Sequence, residues 1–364
     1  MRFLEQTDEP SQQDHLRALA IRALQRYDVV VARCSLVPQS YDTYNTLFRV
    51  DTVGGPTFAL RVSPEGTIHA PGSEIAEAEW LKALGRDTDL PVPELRTTTD
   101  GSPMVELGTP EVPGQRRCAL FGWLPGGPMS QHPSADLAAQ AGRISALLHQ
   151  HGAVHSPPSP PTVLVADRVI YWRMESLLDE LTPSYGSLFT DATERAQQVL
   201  DRLWRNPPHP AQIVHGDLTL YNIMVFKGRL TPIDFQDMIW GFELQDLAIT
   251  IASMRNFDDA PALVAAFYLG YVQVRPLPEH DAETLEGLIA ARQLDSLNYA
   301  LFVRKPELDT VIPHMARLMT EWLDRPRRGP DRRRCAARAS AVISPRVDAL
   351  QPHSATQISG LRRF

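Results

Sequence analysis

Cysteine is scarce in this sequence. The chain of 364 residues contains three cysteines, Cys34, Cys118 and Cys335, which lie far apart and form no CxxC pair. Disulfide frameworks and zinc sites both need closely matched sets of cysteines, so this usage argues against either. Long apolar runs are missing as well, since none reaches the roughly 18 residues that a membrane helix needs. Residues 1–14 are acidic and lack the apolar centre of a signal peptide, so we expect a cytoplasmic protein with no membrane contact.

Positive charge is also scarce, except near the C-terminal end. Residues 325–364 contain ten Arg and two Asp, a balance of +8; because the whole chain has a net charge of −7, residues 1–324 carry −15. Such an acidic body argues against a nucleic-acid partner. It suits a cationic substrate, although a solvated acidic surface explains the charge more simply. The basic stretch has no apolar periodicity, and we interpret residues 325–364 as a disordered tail.

The apolar residues that are present suffice for two compact units, because 43% of a chain this long is hydrophobic. Residues 1–125 combine a leading helix with short alternating strands, a helix at 74–84 and a hairpin around Asp100 and Gly101. Residues 126–324 are mainly helical, and the spacing predicts helices at 136–150, 171–181 and 191–204. The pattern predicts an α+β protein with a small β-rich N-lobe and a larger helical C-lobe.

Polar groups cluster around short apolar strands between residues 213 and 237. The segment begins IVHGDLTLYNIMV and ends PIDFQD. Asp217 follows the first strand, Asn222 comes five residues later, and Asp234 ends another strand. A carboxylate can orient or deprotonate an attacking hydroxyl, while carboxylate and amide oxygens are suitable ligands for Mg²⁺. Phosphoryl transfer needs these parts, and the D-x4-N spacing equals that of the protein-kinase catalytic loop.

The segment HGDLTLYNIMV…PIDFQDMIWGFELQDLA resembles the aminoglycoside phosphotransferase family in its broad sense. That family includes antibiotic, choline, hydroxylysine, homoserine and stress-response kinases. The shared motifs are the HGD-x4-N loop, an IDF metal site and a D-L-A helix start, and the resemblance extends over residues 35–320. It implies a bilobal protein-kinase-like fold. It also implies transfer of the γ-phosphate of ATP, with Mg²⁺, to a hydroxyl of an aminoglycoside-like or amino-alcohol acceptor.

The resemblance also implies roles for individual residues. Asp217 would be the catalytic base, with Asn222 and Asp234 as the Mg²⁺ ligands. His215 and Asp246 would hold the loop in shape, although Asp246 could equally be the N-cap of the helix that it begins.

On the nucleotide side, Arg61 occupies the position of the strand lysine of protein kinases. Its planar fork suits phosphate, although a strand arginine could also simply face water. Its expected partner is a helix glutamate. Glu77 fits best, and Glu74 and Glu79 are the alternatives.

The rest of the nucleotide site is less regular. The segment SYDTYN at 40–45 stands where a glycine-rich phosphate loop is expected, but it has no glycine. Ser40 and Asn45 would therefore supply side-chain contacts. The run ALFGWLPG resembles the hinge between lobes, where the backbone of Gly122 and Trp123 would bind adenine. A buried edge strand is the simpler interpretation of this run.

The acceptor is not determined by the sequence. Thr219 and Tyr221 stand where many relatives have His and Gly, which would reshape the acceptor pocket. Arg292 lies on the apolar side of its helix, so it would bind either an acidic acceptor or an internal carboxylate. Four acidic residues could bind an ammonium group, although a solvated position is the simpler expectation for most of them: Glu175, Asp258, Asp259 and Asp295. A solvated position is also the simpler expectation for the turn residue Asp237.

Two other classes of function remain open from the sequence. A Ser/Thr protein kinase of the stress-response type would need an open groove for a peptide. A nucleotide-binding scaffold without activity would be expected to lack at least one of the three central residues, and all three are present.

Overall fold

The computed structural model describes residues 9–37, 45–64, 68–155, 162–303 and 307–325. Ser40 and residues 326–364 of the basic tail lie outside these ranges. Within them, no helix is long and apolar enough to cross a membrane.

An antiparallel sheet dominates the N-terminal part, and its strands follow the order β1-β2-β3-β6-β4, with β5 also paired to β6. Alternate residues of the central strands, including Phe48 and Leu60, point into a small core, which Leu19 and Leu24 of the leading helix complete. The elements of this part are α1 (Glu9–Leu24), β1 (Val31–Leu36), β2 (Thr46–Thr52), β3 (Thr57–Pro64), α2 (Ser73–Asp87), β4 (Leu95–Arg96), β5 (Val105–Thr109) and β6 (Val112–Gly122).

Helices dominate the remainder, and two small three-stranded sheets accompany them. One large apolar core runs from Trp80 of α2 through the central helices to Trp322 of the last helix, so α2 belongs to it as well. The confirmed class is therefore α+β. The elements are β7 (Gly127–Pro128), α3 (Ala135–Gly152), β8 (Leu164–Val165), α4 (Thr182–Tyr185), α5 (Leu188–Arg205), β9 (Gln212–Val214), β10 (Ile223–Phe226), β11 (Arg229–Pro232), β12 (Ile239–Gly241), α6 (Glu243–Met254), α7 (Ala260–Tyr271), α8 (Ala282–Val303) and α9 (Leu308–Leu323).

The prediction of a helix at 171–181 is wrong for most of that range. Residues 171–177 are irregular, and helical structure begins only with the 3₁₀ turn Leu178–Leu181. The side chain of Asn298 on α8 accepts a hydrogen bond from the backbone N–H of Leu177 at 2.6 Å and donates one to the carbonyl of Glu175 at 3.1 Å. These tertiary bonds take backbone groups that a helix would otherwise use.

The predicted hairpin around Asp100 and Gly101 is also wrong in its strand pairing. A turn is present, and Gly101 has a φ of 83° there. The strands on its two sides, β4 and β5, nevertheless pair with β6 and not with each other. The reason is the length of β6, whose 11 residues provide partners for both short strands in succession.

Candidate active site

The loop between β9 and β10 carries Asp217, whose side chain keeps partial exposure. Gly216 directly before it has a φ of 77°, in the left-handed region that glycine adopts without strain. A Cβ at Gly216 would lie 2.1 Å from the carbonyl oxygen of Asp237, so the two segments touch through their backbones. The glycine of the HGD motif is therefore required sterically, because only glycine allows this loop to pack against the PIDFQD segment.

Helix α6 holds the loop through one of its faces. Asp246, Thr250 and Ser253 follow one another at i, i+4 and i+7, which places them in one row along the helix. Their side chains bond to every second residue of the loop: Asp246 Oδ1 accepts from the N–H of Gly216 at 2.9 Å, Thr250 Oγ1 donates to the carbonyl of Leu218 at 2.8 Å, and Ser253 Oγ accepts from the N–H of Leu220 at 3.0 Å.

This alternation decides which side chains of the loop are buried and which stay partly exposed. Leu218 and Leu220 are fully buried, whereas Asp217, Thr219 and Tyr221 keep partial exposure. Thr219 and Tyr221, which depart from the family pattern, therefore accompany Asp217 on the partly exposed side of the loop.

Asp246 in turn is held by a buried pair of side chains. Nε2 of His149 on α3 lies 2.9 Å from Asp246 Oδ2, and Nδ1 of the same ring lies 2.9 Å from the hydroxyl of Tyr271 on α7. Burial alone would raise the pKa of Asp246, but the bond with His149 outweighs it and the pKa is lowered. The N-cap interpretation of Asp246 is wrong, because Phe242 occupies the N-cap of α6.

His215 is also an internal support of the loop. Its ring is fully buried, with Nε2 3.1 Å from the carbonyl oxygen of Ile233 and Nδ1 3.3 Å from the backbone N–H of Asp217. Burial lowers the pKa of His215, which favours the neutral ring. In this form Nε2–H donates to Ile233 and Nδ1 accepts from Asp217, so the histidine links the loop to the strand that precedes Asp234.

Asp217 has partners on both carboxylate oxygens. Oδ2 accepts from the side-chain amide of Asn222 at 2.6 Å, and the same amide donates to the backbone carbonyl of Asp217 at 3.0 Å. Oδ1 accepts from Nη2 of Arg292 on α8. Burial raises the pKa of Asp217, while Arg292 opposes that rise and Asp237 adds to it.

Asp234 lies where β11 ends, in a backbone conformation that is unusual for a residue with a side chain. Its φ of 64° and ψ of 55° are left-handed, and strain of this kind is concentrated at functional sites. Burial raises the pKa of Asp234, and the nearby Asp237 raises it further. Its carboxylate is partly exposed, and Oδ1 lies 3.7 Å from Nη1 of Arg61.

Arg61 on β3 forms a buried fork with Glu77 of α2. Nη1 donates to Glu77 Oε1 at 2.9 Å, and Nη2 donates to Oε2. The guanidinium also lies over the ring of Phe121, 5.1 Å from its centroid. Of the two alternative glutamates, Glu74 pairs with Arg117 at 2.7 Å and Glu79 is exposed.

Comparison with known proteins shows the family of the chain. The family model described as the phosphotransferase enzyme family (APH) matches residues 36–279. The chain belongs to this phosphotransferase family. It is therefore a phosphotransferase.

Solved structures with similar folds include several small-molecule kinases. The microcompartment-associated aminopropanol kinase is 21% identical, with a TM-score of 0.61 over 84% of this chain and 94% of that one. An amicoumacin kinase in complex with AMP-PNP, Ca²⁺ and its ligand is 16% identical, with a TM-score of 0.65 over 88% and 96%. A spectinomycin phosphotransferase with ADP and spectinomycin is 14% identical, with a TM-score of 0.55 over 86% and 94%. No curated protein matches the sequence.

All the predicted nucleotide contacts of this phosphotransferase, Arg61 and Glu77 included, remain predictions. Asn45 donates from its side chain to Oε1 of Gln236 at 3.0 Å, which places it against the 3₁₀ turn Phe235–Asp237 that follows Asp234. The backbone N–H of Gly122 donates to the carbonyl of Glu94 at 2.8 Å, and that of Trp123 to the carbonyl of Thr57 at 3.0 Å. These two N–H groups are already engaged, so an adenine contact at this hinge would use other backbone atoms.

Two acidic residues that were expected in solvated positions prove to be enclosed. The side chain of Asp237 is 14% exposed, and its Oδ1 lies 2.5 Å from Nε2 of His69. Asp295 on α8 is fully buried, and burial raises its pKa to about 7. Glu175, Asp258 and Asp259 are exposed, as expected.

Arg292 takes the internal-carboxylate alternative of the sequence interpretation. Besides its bond to Asp217, it lies 3.6 Å through Nη1 from Oδ2 of Asp295. Asp217 was not named as its partner, because a contact between residues 75 positions apart leaves no local signal in a single sequence.

Sequence interpretation also missed His69, His149, Thr250 and Ser253. A signal existed for the last two, since they are the polar positions at i+4 and i+7 from Asp246 in the otherwise apolar run DLAITIASM. His149 stands out as a polar residue beside the apolar side of α3. His69 lies between β3 and α2, where no periodic pattern in the sequence indicates a functional side chain.

Proposed function

We propose that this phosphotransferase moves the γ-phosphate of ATP to a hydroxyl of a small acceptor, with Asp217 as the base and Mg²⁺ as the metal. The observation that supports this most strongly is the bonded set formed by Asp217 and Asn222, with Arg61 placed between Glu77 and Asp234. A base, two oxygen ligands and a phosphate-binding cation are the parts that in-line phosphoryl transfer needs.

Asp217 would receive the proton of the acceptor hydroxyl while the new O–P bond forms and the bond to ADP breaks. The hydrogen bond from Asn222 fixes the orientation of its carboxylate. The bonds from α6 to Gly216 and Leu220 fix the loop backbone on both sides, which keeps the base in place.

The residues around Asp234 fit a magnesium ion. The nitrogen of the Asn222 amide is engaged by Asp217, so its oxygen remains for a cation, and the carboxylate of Asp234 supplies a second hard ligand. Among the described residues, no group of three or more His, Cys, Asp or Glu could hold a metal alone. Phosphate oxygens and water would complete the ligand set. When bound, Mg²⁺ neutralises charge on the transferring phosphate.

Arg61 would hold a phosphate on the nucleotide side. Burial would lower its pKa, but Glu77 and Asp234 outweigh that effect and the pKa of Arg61 is raised, so it stays charged. Its contact with Glu77 ties β3 to α2 and thereby fixes the direction of the guanidinium.

For the acceptor we propose a hydroxylated small molecule of the aminoglycoside-like or amino-alcohol type. The fold neighbours act on or bind aminopropanol, amicoumacin and spectinomycin, and an amino alcohol is the simplest of these to assay. The acidic body of the chain suits a cationic acceptor.

The decisive experiment is turnover of Mg²⁺–ATP against a panel of amino alcohols, sugars, aminoglycosides and one generic protein, with mass spectrometry of the products. We expect one small-molecule product. Asp217→Asn should reduce its formation about 10²–10⁴-fold, the usual contribution of a positioned base. Asp234→Asn should do the same and should also raise the Mg²⁺ concentration needed for half-maximal rate.

Asp136→Asn is the matched control, because that carboxylate is exposed in the first turn of α3 and is not among the candidate acceptor contacts. Unchanged transfer in Asp217→Asn would refute the base assignment. Phosphorylation of the protein substrate alone would favour the protein-kinase alternative.

A further inference from the structure

The carboxylate of Asp217 is held by two donors that come from different parts of the fold. Asn222 donates to Oδ2 from the same loop, and Arg292 donates to Oδ1 from α8. Each oxygen keeps a second lone pair, so the carboxylate can still take a proton while both donors are in place. An aspartate carboxylate has only a broad rotational preference about its Cβ–Cγ bond. Contacts on both oxygens therefore set the direction in which the free lone pairs point.

The bond from Arg292 differs from the bond from Asn222 because it comes from outside the loop. Arg292 lies in α8, and the apolar side chains of that helix, including Leu288 and Leu294, are buried in the large core. A donor on a packed helix ties the base to the body of the protein. Catalytic groups keep their geometry through support of this kind, and small displacements of them are costly in rate.

Asp295 contacts the same guanidinium from another side. It stands at i+3 from Arg292 on α8, is fully buried, and its Oδ2 lies 3.6 Å from Nη1 of the arginine. Arg292 thus faces both carboxylates at once, through Nη2 to Asp217 and through Nη1 to Asp295. Among the described residues, no other cation forms an ion pair with Asp295, and neither of its oxygens accepts a hydrogen bond. A buried carboxylate is costly unless it is paired, so Asp295 acts on its surroundings mainly through Arg292.

The indole of Trp172 covers the guanidinium. Its ring centroid lies 5.7 Å from the guanidinium carbon, within the range of a cation–π contact. Trp172 is itself held by α8, since its ring meets that of Tyr299 at 5.1 Å and Asn298 bonds to backbone groups of the segment that follows Trp172. One helix therefore carries the arginine, the carboxylate beside it and the contacts that fix the aromatic ring over it.

We propose that Arg292 is a positioning residue for the base and that Asp295 is a positioning residue for Arg292: the buried carboxylate directs the guanidinium, and the guanidinium directs the carboxylate of Asp217 toward the acceptor hydroxyl. The proposal rests on the proposed function, because it takes Asp217 as the base. Neither Arg292 nor Asp295 exchanges a proton or a phosphate. The arrangement complements the bonds from α6, which fix the backbone of the loop, since α8 fixes the side chain of the base.

The test needs no identified acceptor, because its probe is the hydrolysis of Mg²⁺–ATP, in which water takes the place of the acceptor hydroxyl. We expect Arg292→Met to lower kcat about tenfold or more while the KM for ATP stays within about twofold, because a misplaced base slows the chemical step and leaves nucleotide binding intact. Release of phosphate at saturating and limiting ATP measures both quantities. An unchanged kcat would overturn the proposal.

The double variant Arg292→Met/Asp295→Asn separates positioning of the base from simple neutralisation of Asp295. Arg292→Met alone leaves the buried Asp295 without a partner, which destabilises the fold, whereas the double variant removes both buried charges. If Arg292 positions the base, kcat of the double variant stays as low as that of Arg292→Met. Recovery toward the wild-type rate would mean that Arg292 serves only to neutralise Asp295, and it would overturn the proposal.

Two single variants test how the two residues act together. Asp295→Asn should lower kcat less than Arg292→Met does, because the guanidinium loses its support but keeps its bond to Asp217. It should have no further effect in the Arg292→Met background, since its effect passes through Arg292. Arg292→Lys keeps the charge but has one nitrogen in place of two, so it cannot hold both carboxylates and its kcat should also fall. A wild-type rate in Arg292→Lys would show that charge alone suffices and would overturn the positioning role.

Two further variants serve as control and as reference. Arg202→Met breaks an exposed ion pair with Glu283 on α8, and it should leave kcat unchanged. Asp217→Asn distinguishes failure of this proposal from failure of the proposed function. If hydrolysis is unchanged in Asp217→Asn, the base assignment itself fails. If Asp217→Asn slows hydrolysis and Arg292→Met does not, the base assignment stands and the positioning role alone fails.

Discussion

At the scale of single residues, Arg61 shows how burial changes the contribution of an ion pair to stability. Arg61 with Glu77 and Arg96 with Glu94 are both Arg–Glu pairs in which the arginine lies on a strand of the N-terminal sheet, and each guanidinium lies over a phenylalanine ring. The first pair is enclosed, whereas the second is exposed. Surface ion pairs contribute little to stability because water and salt screen them. Loss of one partner of a buried pair leaves the other charge buried and unpaired, which is costly.

We predict that Arg61→Lys raises the KM for ATP and lowers the free energy of unfolding by about 1.5–3 kcal/mol, the usual contribution of hydrogen bonds to a charged group. Lysine keeps the charge but cannot make the two parallel bonds to Glu77. Arg96→Lys is the matched control and should change neither quantity measurably. Urea unfolding and ATP saturation kinetics measure both variants. Equal behaviour of the two would contradict a phosphate-binding role for Arg61.

At the scale of elements, α6 acts as the frame of the catalytic loop. The helix side chains that hold the loop follow the helical period, since they belong to Asp246, Thr250 and Ser253. The loop residues to which they bond follow one another at every second position, as in an extended chain. Because every second loop residue is bonded to the helix, the side chains between them, those of Asp217, Thr219 and Tyr221, are turned away from it. The sequence motif D-L-A marks only the first of the three contacts.

We predict that Thr250→Val and Ser253→Ala each lower kcat about tenfold, because a small displacement of catalytic groups is costly. Stability should fall by only about 0.5–1.5 kcal/mol, the net contribution of one hydrogen bond. Thr320→Val on α9 is the control, since its hydroxyl donates to the carbonyl of Ala316 in its own helix and, among the described residues, to no loop of the site. Hydrogen exchange adds a readout that needs no acceptor: Ser253→Ala should speed exchange of the Leu220 amide. Unchanged exchange there would remove the basis for the frame.

Asp246, in the first turn of α6, should also make the stability of the fold depend on pH. Because the folded pKa of Asp246 is lowered, its charged form stabilises the fold above the unfolded value of about 3.9, and this contribution is lost as pH falls through the folded pKa. We predict that wild type is more stable than Asp246→Asn from about pH 5 upward, and that the difference shrinks below about pH 4. Urea unfolding at several pH values measures it. A difference that grows toward acid would contradict the sign.

At the scale of the whole molecule, the parts that the sequence predicts are those with local signals. The order of a β-rich part and a helical part follows from periodicity, and residues 217, 222 and 234 were found through spacing within one segment. The segment 171–177 could not be predicted, because Asn298 on a distant helix takes its backbone bonds. The partner of Arg292 and the role of His69 could not be predicted for the same reason, since each side chain meets a carboxylate that is distant in the sequence.

The C-terminal end provides a last test of where the folded body stops. Trp322 of α9 is buried in the large core, its ring lies 4.6 Å from the guanidinium carbon of Arg195, and its carbonyl accepts from Nη1 of that arginine at 3.0 Å. Arg325 follows, and its side chain bonds to Glu286 at 2.9 Å. Contacts of the last helix with the body therefore extend through residue 325, one residue past the Asp324 boundary that the sequence indicated.

We predict that a chain ending at residue 325 keeps both the stability and the activity of the full-length protein. A chain ending at residue 321 should lose about 3–5 kcal/mol of stability, the usual cost of removing a buried tryptophan. Urea unfolding and ATP turnover of the two truncations measure this. Because they differ by only four residues, equal loss in both would mean that residues 326–364 contribute to the folded body, and equal stability would mean that Trp322 is dispensable to the core.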